Sequence, residues 1–197
     1  MNRKAQRLLI DMLIAIVLSC LLTALMNTLD SPWNLFLGLG PLIWLTFRQG
    51  GPAGILAAGL TGLVSAFIIK GDSQDLALLV ARDVFPLLTV GLAGFFAKYT
   101  HKTLNNRRYS STYLNLVTGT LVSTLAYYLL TYLVEIFILN QTPRLALNQV
   151  DFYLSWLLTA GLIGGILVLL ARFAPKTIIP RYSKYLSRKE TSSLLND

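Results

Sequence analysis

Polar residues are rare inside the long apolar stretches of this chain and gather between them. Six stretches stand out, at about 8–28, 33–47, 52–70, 76–98, 112–139 and 151–173. Most approach or exceed the roughly 20 residues an apolar helix needs to cross a bilayer. A helical protein is therefore predicted. The breaks between stretches are turn formers: Asp30-Ser31-Pro32, Gly50-Gly51-Pro52, Lys70-Gly71-Asp72, and the run from Asn140 to Pro143. The second stretch is short and interrupted by Gly38, Gly40 and Pro41. Undersized, broken spans mark cavities, because their free backbone groups need protein or water as partners.

Composition agrees. Of 197 residues, 54% are hydrophobic and 13% charged, and mean hydropathy is +0.60. A soluble domain of this size cannot hide so much apolar surface. The predicted fold is an all-α integral membrane protein with six transmembrane helices. Residues 1–175 form the membrane domain and 176–197 a basic cytoplasmic tail. The N-terminus resembles a signal peptide, with Arg3, Lys4 and Arg7 before an apolar run, but more membrane follows, so it reads as the first helix.

Charge sets the orientation. Arg3, Lys4, Arg7, Arg48, Lys98, Lys102, Arg107, Arg108, Arg172, Lys176, Arg181, Lys184, Arg188 and Lys189 all fall on one side, 14 of the 17 basic residues. The opposite loops hold Lys70 and Arg144 alongside Asp30, Asp72 and Asp75. Both termini are thus expected in the cytoplasm. Anionic lipid headgroups account for the net charge of +8, and no nucleic-acid partner is needed.

Ionisable residues inside the spans are the candidate chemistry. Arg82 and Asp83 lie about seven residues into the fourth stretch, roughly 10 Å below its outer end. On the fifth, Tyr128, Tyr132 and Glu135 follow i, i+4, i+7 spacing and share a face, with Thr124 and Thr131 adjacent. The sixth opens with Asp151, Tyr153, Ser155 and Trp156, and Trp33 stands at the outer mouth of the second. A charge at membrane depth costs about 3 kcal/mol or more and normally faces a partner or a wet cavity. Their convergence in the outer halves of several helices predicts an outward-facing pocket with aromatic walls. The competing reading is a non-transporting membrane scaffold or assembly protein: charges that pin helices together, tyrosines and tryptophans of an interfacial belt, Asp151 as a helix cap. Neither reading involves a cofactor or a metal. Cys20 and His101 are single, with His101 placed in a basic loop, so a thiolate cluster and a buried Ser–His pair are not expected. There is no Gly-rich phosphate loop and no intramembrane nucleophile–base pair, so the chain is not expected to be an enzyme.

Small residues recur every fourth position: Gly54, Ala58, Gly62 and Ala66 on the third helix, Gly161 and Gly165 on the sixth, Ala15 and Ser19 on the first. Such rows let helices approach closely, within the bundle or against another membrane subunit.

The stretch PWNLFLGLGPLIWLTFRQGGPAGILAAGLTGLVSAFI, with a fourth helix ending VGLAGFF, resembles the substrate-binding components of energy-coupling factor vitamin transporters. It is most similar to the thiamine-specific branch, over roughly residues 11–170. Shared features are an early Trp, a second segment ending Phe-Arg-x-Gly, a Gly/Ala-rich third helix and a closing Gly-Leu-Ala-Gly. The resemblance implies a six-helix protein of a bacterial cell membrane that captures a vitamin at its outer face. It also implies a transmembrane coupling subunit and two cytoplasmic ATPases as partners. Ala15 and Ser19 match the row that the family presents to the coupling subunit, and Trp33 stands where a family Trp lids the ligand. Asp83 is the counterpart of an acidic residue that contacts the cationic vitamin, although an ungapped match puts Arg82 there. The chain departs from the family at Leu130 and Val134, where a His and a Gly are usual, and at Phe152, Trp156 and Leu157, where the usual pattern is Tyr-x-x-x-Tyr-Asn. Glu135 supplies negative charge beside the lost glycine.

Overall fold

The computed structural model describes residues 3–28, 34–69, 76–180 and 183–186. All regular structure among them is helical: α1 Arg3–Thr28, α2 Leu39–Gln49, α3 Gly51–Val64, α4 Leu76–Leu79, α5 Gly94–Asn105, α6 Tyr109–Phe137, α7 Val150–Phe173 and α8 Pro175–Ile178. Between α4 and α5 the helix does not stop but changes pitch, with a π turn at Val80–Val84 and a 3-10 stretch at Pro86–Ala93. A second π turn, Ser65–Ile69, continues α3. Among the described residues, four helices are long and apolar enough to cross a membrane: Ala5–Thr28, Leu76–Asn105, Tyr109–Phe137 and Val150–Phe173. A shorter apolar helix spans Gly51–Phe67. The chain is a multi-pass membrane protein.

The short second segment becomes the centre of the bundle. Residues 34–36 are irregular and helix starts only at Leu39, with Pro41 in its first turn, where a missing N–H costs nothing. Leu39, Leu42, Ile43, Leu45 and Phe47 are all fully buried, and α2 touches α1, α3, α5, α6 and α7. No residue of α2 is exposed, and a helix so enclosed must be largely apolar, which is how residues 39–47 read.

On α1 the usual amphipathic sense is inverted, as lipid contact requires. Asp11, Ala15, Ser19 and Thr23, four residues apart, are its buried stripe, whereas Leu13, Val17 and Leu21 are outward. The Ser19 hydroxyl donates to the Gly38 carbonyl at 2.6 Å, tying α1 to the start of α2. Ala15 and Ser19, expected on a partner-docking row, lie on this buried stripe. Both are fully buried, and their small side chains serve the internal α1–α2 seam. The row of Gly54, Ala58, Gly62 and Ala66 is likewise buried, while Gly161 and Gly165 are exposed and open onto space.

One end of the bundle is a polar knot. Arg48 donates from Nε to Asp11 at 2.7 Å and from one terminal nitrogen to the carbonyls of Lys176 and Thr177, each at 2.8 Å. Gln49 donates to the same Asp11 oxygen, and the Trp44 indole to the Thr177 carbonyl at 3.1 Å. The Phe-Arg-x-Gly motif is therefore an anchor for the segment after α7. His101 belongs to this end. It is not in a loop: α5 runs on through Lys98 and Lys102 to Asn105, and His101 is fully buried. It pairs with Ser183 Oγ and the Phe47 carbonyl, each at 2.8 Å. The buried Ser–His pair thought absent thus exists, as a structural clasp.

Candidate functional site

Pro86 shapes the region of Arg82 and Asp83. It has no N–H to give the preceding turn, and its ring crowds the carbonyl four residues back, so the helix widens just before it. The Phe85 N–H reaches five residues back, to the Val80 carbonyl, at 2.9 Å. Such π turns are frequent at functional sites. On a regular helix neighbouring residues point about 100° apart, yet here Arg82 and Asp83 line the same cavity. Gly62 holds the turn against α3, since a Cβ there would lie 2.7 Å from the Asp83 carbonyl oxygen and 2.8 Å from Val84 Cα.

The cavity has a volume of about 240 Å³. It lies toward the end of α6 remote from Tyr109, the residue on which the Arg172 guanidinium stacks at 4.8 Å. Its aromatic wall is Phe36 stacked on Tyr127, centroids 4.9 Å apart, with Tyr128 edge-on to Tyr127 at 5.5 Å. Irregular backbone lines it, as the broken second segment foretold. The Tyr128 hydroxyl donates to the Asn34 carbonyl at 2.7 Å and sits 2.9 Å from Thr159 Oγ1, which accepts from the Phe36 N–H.

Two carboxylates face this space, each beside an arginine. Arg82 Nε lies 3.2 Å from Asp83 Oδ2. Glu135 accepts the Arg144 backbone N–H at 3.0 Å, and the Arg144 Nε is 3.8 Å from its other oxygen. Thr61 adds an unspent group. Helical threonines here return their hydroxyl to the carbonyl four residues back, as Thr46, Thr100, Thr120 and Thr124 do. Thr61 does not. It is 1% exposed, lines the cavity, and its Oγ1 has no hydrogen-bond partner. An orphaned buried hydroxyl costs about 1–3 kcal/mol and calls for an explanation. Ser123 and Ser155 are orphaned too, but neither lines the cavity.

Of the residues singled out in the sequence, Arg82, Asp83, Tyr128, Tyr132 and Glu135 come together around the cavity. Trp33 lies outside the described residues. Asp151 and Trp156 do not line it. The Trp156 indole donates to the Leu121 carbonyl at 3.3 Å, joining α7 to α6. Asp151 is exposed in the first turn of α7, where a negative charge suits the helix dipole, and the N-cap is Gln149 with no side-chain cap bond. Sequence reasoning missed Thr61, Ser65, Phe36 and Tyr127. Tyr127 was legible as one step round from Tyr128, whereas nothing marked Thr61.

The model of the thiamine transporter protein family (Thia_YuaJ) matches residues 9–142. Among solved structures, that of ThiT from Listeria monocytogenes superposes with a TM-score of 0.76 at 18% identity, covering 90% of this chain and 100% of that one. That likeness speaks for the fold. No curated protein gives a significant match. Proteins of this family are transport proteins and not enzymes. By its sequence match over two-thirds of its length, the chain belongs to the thiamine transporter protein family.

Proposed function

We propose that this protein is the thiamine-binding membrane component of an energy-coupling factor transporter, crossing the membrane six times with both termini in the cytoplasm. The 240 Å³ cavity opens outward and holds the vitamin. A coupling subunit and two ATPases supply the energy, since the chain itself carries no phosphate-binding loop. The observation that carries this reading is the cavity's composition. Two carboxylates, Asp83 and Glu135, stand beside a stacked aromatic wall and an unspent Thr61 hydroxyl. Thiamine is a small aromatic cation with hydrogen-bonding groups on its pyrimidine, and such a cation on aromatic faces gains about 1–2 kcal/mol when desolvated. Tyr132 and Tyr128 complete the wall, and Arg82 keeps Asp83 in place. Trp33 is assigned the lid.

Adding thiamine to purified protein is expected to quench tryptophan fluorescence at sub-micromolar concentration and to raise the melting temperature, because a ligand that binds only the folded state stabilises it. Asp83→Asn and Glu135→Gln should each weaken thiamine about tenfold or more, the scale of one charge-assisted contact. Unchanged affinity in both would remove the carboxylates from the site.

The opposing reading, a scaffold whose charges pin helices, draws on the Arg82–Asp83 and Arg144–Glu135 pairs. It leaves Thr61 unexplained. Thr61→Val separates the two. With the orphaned hydroxyl gone and the shape kept, the protein should be as stable or slightly more so, yet bind thiamine about five- to tenfold more weakly. Calorimetric titration alongside a thermal melt measures both.

A further inference from the structure

The two arginines beside the cavity are held in different ways. Arg82 sits on the π turn next to its own partner, and its side chain is 24% exposed. Arg144 comes from the loop after α6, and its side chain is 77% exposed although the Glu135 it approaches is only 11% exposed. The loop backbone is anchored independently of that guanidinium. The Gln141 N–H donates to the Glu135 carbonyl at 2.9 Å, the Arg144 N–H to the Glu135 carboxylate, and Asn140 takes the left-handed turn (φ 49°) that folds the chain back.

We propose that Arg144 is a built-in stand-in for the ligand's positive charge: its guanidinium neutralises Glu135 while the cavity is empty, and an organic cation takes its place on that carboxylate. This rests on the reading of the cavity as the seat of a cationic vitamin.

The physical case has two halves. A carboxylate largely withdrawn from water at the margin of the apolar layer needs a nearby cation. Arg144 is the cation that the loop brings to Glu135. Yet a guanidinium that keeps most of its surface in water, with Nε at 3.8 Å, holds on weakly, because side-chain entropy and solvent screening offset the attraction. It can swing into solvent while the backbone bonds stay made. An entering cation therefore needs no loop opening. It must outcompete one loosely held side chain, whereas a neutral molecule of the same shape leaves Arg144 on Glu135. The residue thus sets selectivity for charge without being a permanent wall of the site.

The test is calorimetric titration of the full-length protein in lipid nanodiscs. The probes are thiamine and its uncharged 4-amino-5-hydroxymethyl-2-methylpyrimidine half. Arg144→Gln should bind thiamine about three- to tenfold more tightly, the scale of one weak exposed ion pair removed from competition. Arg144→Lys should restore the unsubstituted affinity, and the pyrimidine should change by less than about twofold in either variant. Weaker thiamine binding in Arg144→Gln would overturn the inference by making Arg144 a ligand contact or a closing latch, and an unchanged affinity would overturn it by showing that the guanidinium does not compete. If the unsubstituted protein fails to bind thiamine at all, the functional reading falls first and takes this inference with it. Thiamine binding without the gain in Arg144→Gln sinks the inference alone.

Discussion

Replacing Gly62 with alanine is expected to weaken thiamine binding at least tenfold while costing about 1–3 kcal/mol of stability, the usual range for overpacking a dense interior. The added methyl would meet backbone, namely the Asp83 carbonyl oxygen at 2.7 Å and Val84 Cα at 2.8 Å. Backbone cannot rotate aside as a side-chain tip can. Either α3 or the π turn must retreat, and the π turn is the softer of the two, having already left regular helix geometry ahead of Pro86. Its retreat carries Arg82 and Asp83 away from the aromatic wall of Phe36 and Tyr127. Gly59→Ala is the matched control one turn earlier, where an added Cβ meets nothing within 4 Å. It should bind normally and melt slightly higher, since alanine is the better helix former by about 1 kcal/mol. Equal thiamine affinities in the two variants would show that the α3 contact does not position the site.

That control also shows where legibility in the sequence stopped. Glycine and alanine every four residues announce a close approach but not the neighbour approached. Hence the rows through Gly62 and through Ala15 and Ser19 alike indicate packing, within the bundle or against another subunit, without naming the partner, and only the family resemblance assigns the second row to a coupling subunit. Periodic features transferred well. Tyr128, Tyr132 and Glu135 reach one cavity because helical spacing leaves little choice once α6 is regular. Arg82 and Asp83 defeated the same arithmetic, for the π turn before Pro86 abolishes the regular angle between them. Arg144 and Thr61 carried no period at all: one lies in a loop, and the other is a threonine distinguished only by a hydrogen bond it does not make. Tryptophan and acid near a helix start suit a pocket, a lipid belt or a favourable dipole equally, so the sequence alone does not separate Asp151 and Trp156 from the residues that line the cavity. His101 was misjudged from its basic neighbours, which sit on a helix that outruns the apolar layer.

His101 gives the second large effect. His101→Ala is expected to cost about 2–4 kcal/mol, combining the loss of a buried ring with orphaned partners, while leaving thiamine affinity within about twofold. The tautomer follows from the partners. The Phe47 carbonyl only accepts, so Nε2 carries the proton, and Nδ1 then accepts from the Ser183 hydroxyl. Phe47 lies two residues before the end of α2 at Gln49, among the carbonyls that a helix terminus leaves without an intrahelical donor. The ring supplies that donor and at the same stroke fixes Ser183, whose oxygen also accepts the Tyr185 N–H at 3.1 Å. Tyr185 in turn packs edge-on to the imidazole at 5.2 Å. Removing the ring should therefore free the segment after α8 without touching the cavity at the far end of α6. Limited trypsin digestion at Lys184 should become fast in His101→Ala while the bundle stays intact. Ser183→Ala, which removes the bonds to His101 Nδ1 and from the Tyr185 N–H but leaves the Phe47 carbonyl paired, should cost only about 1–2 kcal/mol. If instead thiamine binding collapsed in His101→Ala with the fold preserved, the two ends of the bundle would be energetically linked, and the clasp would have to be read as part of the transport cycle.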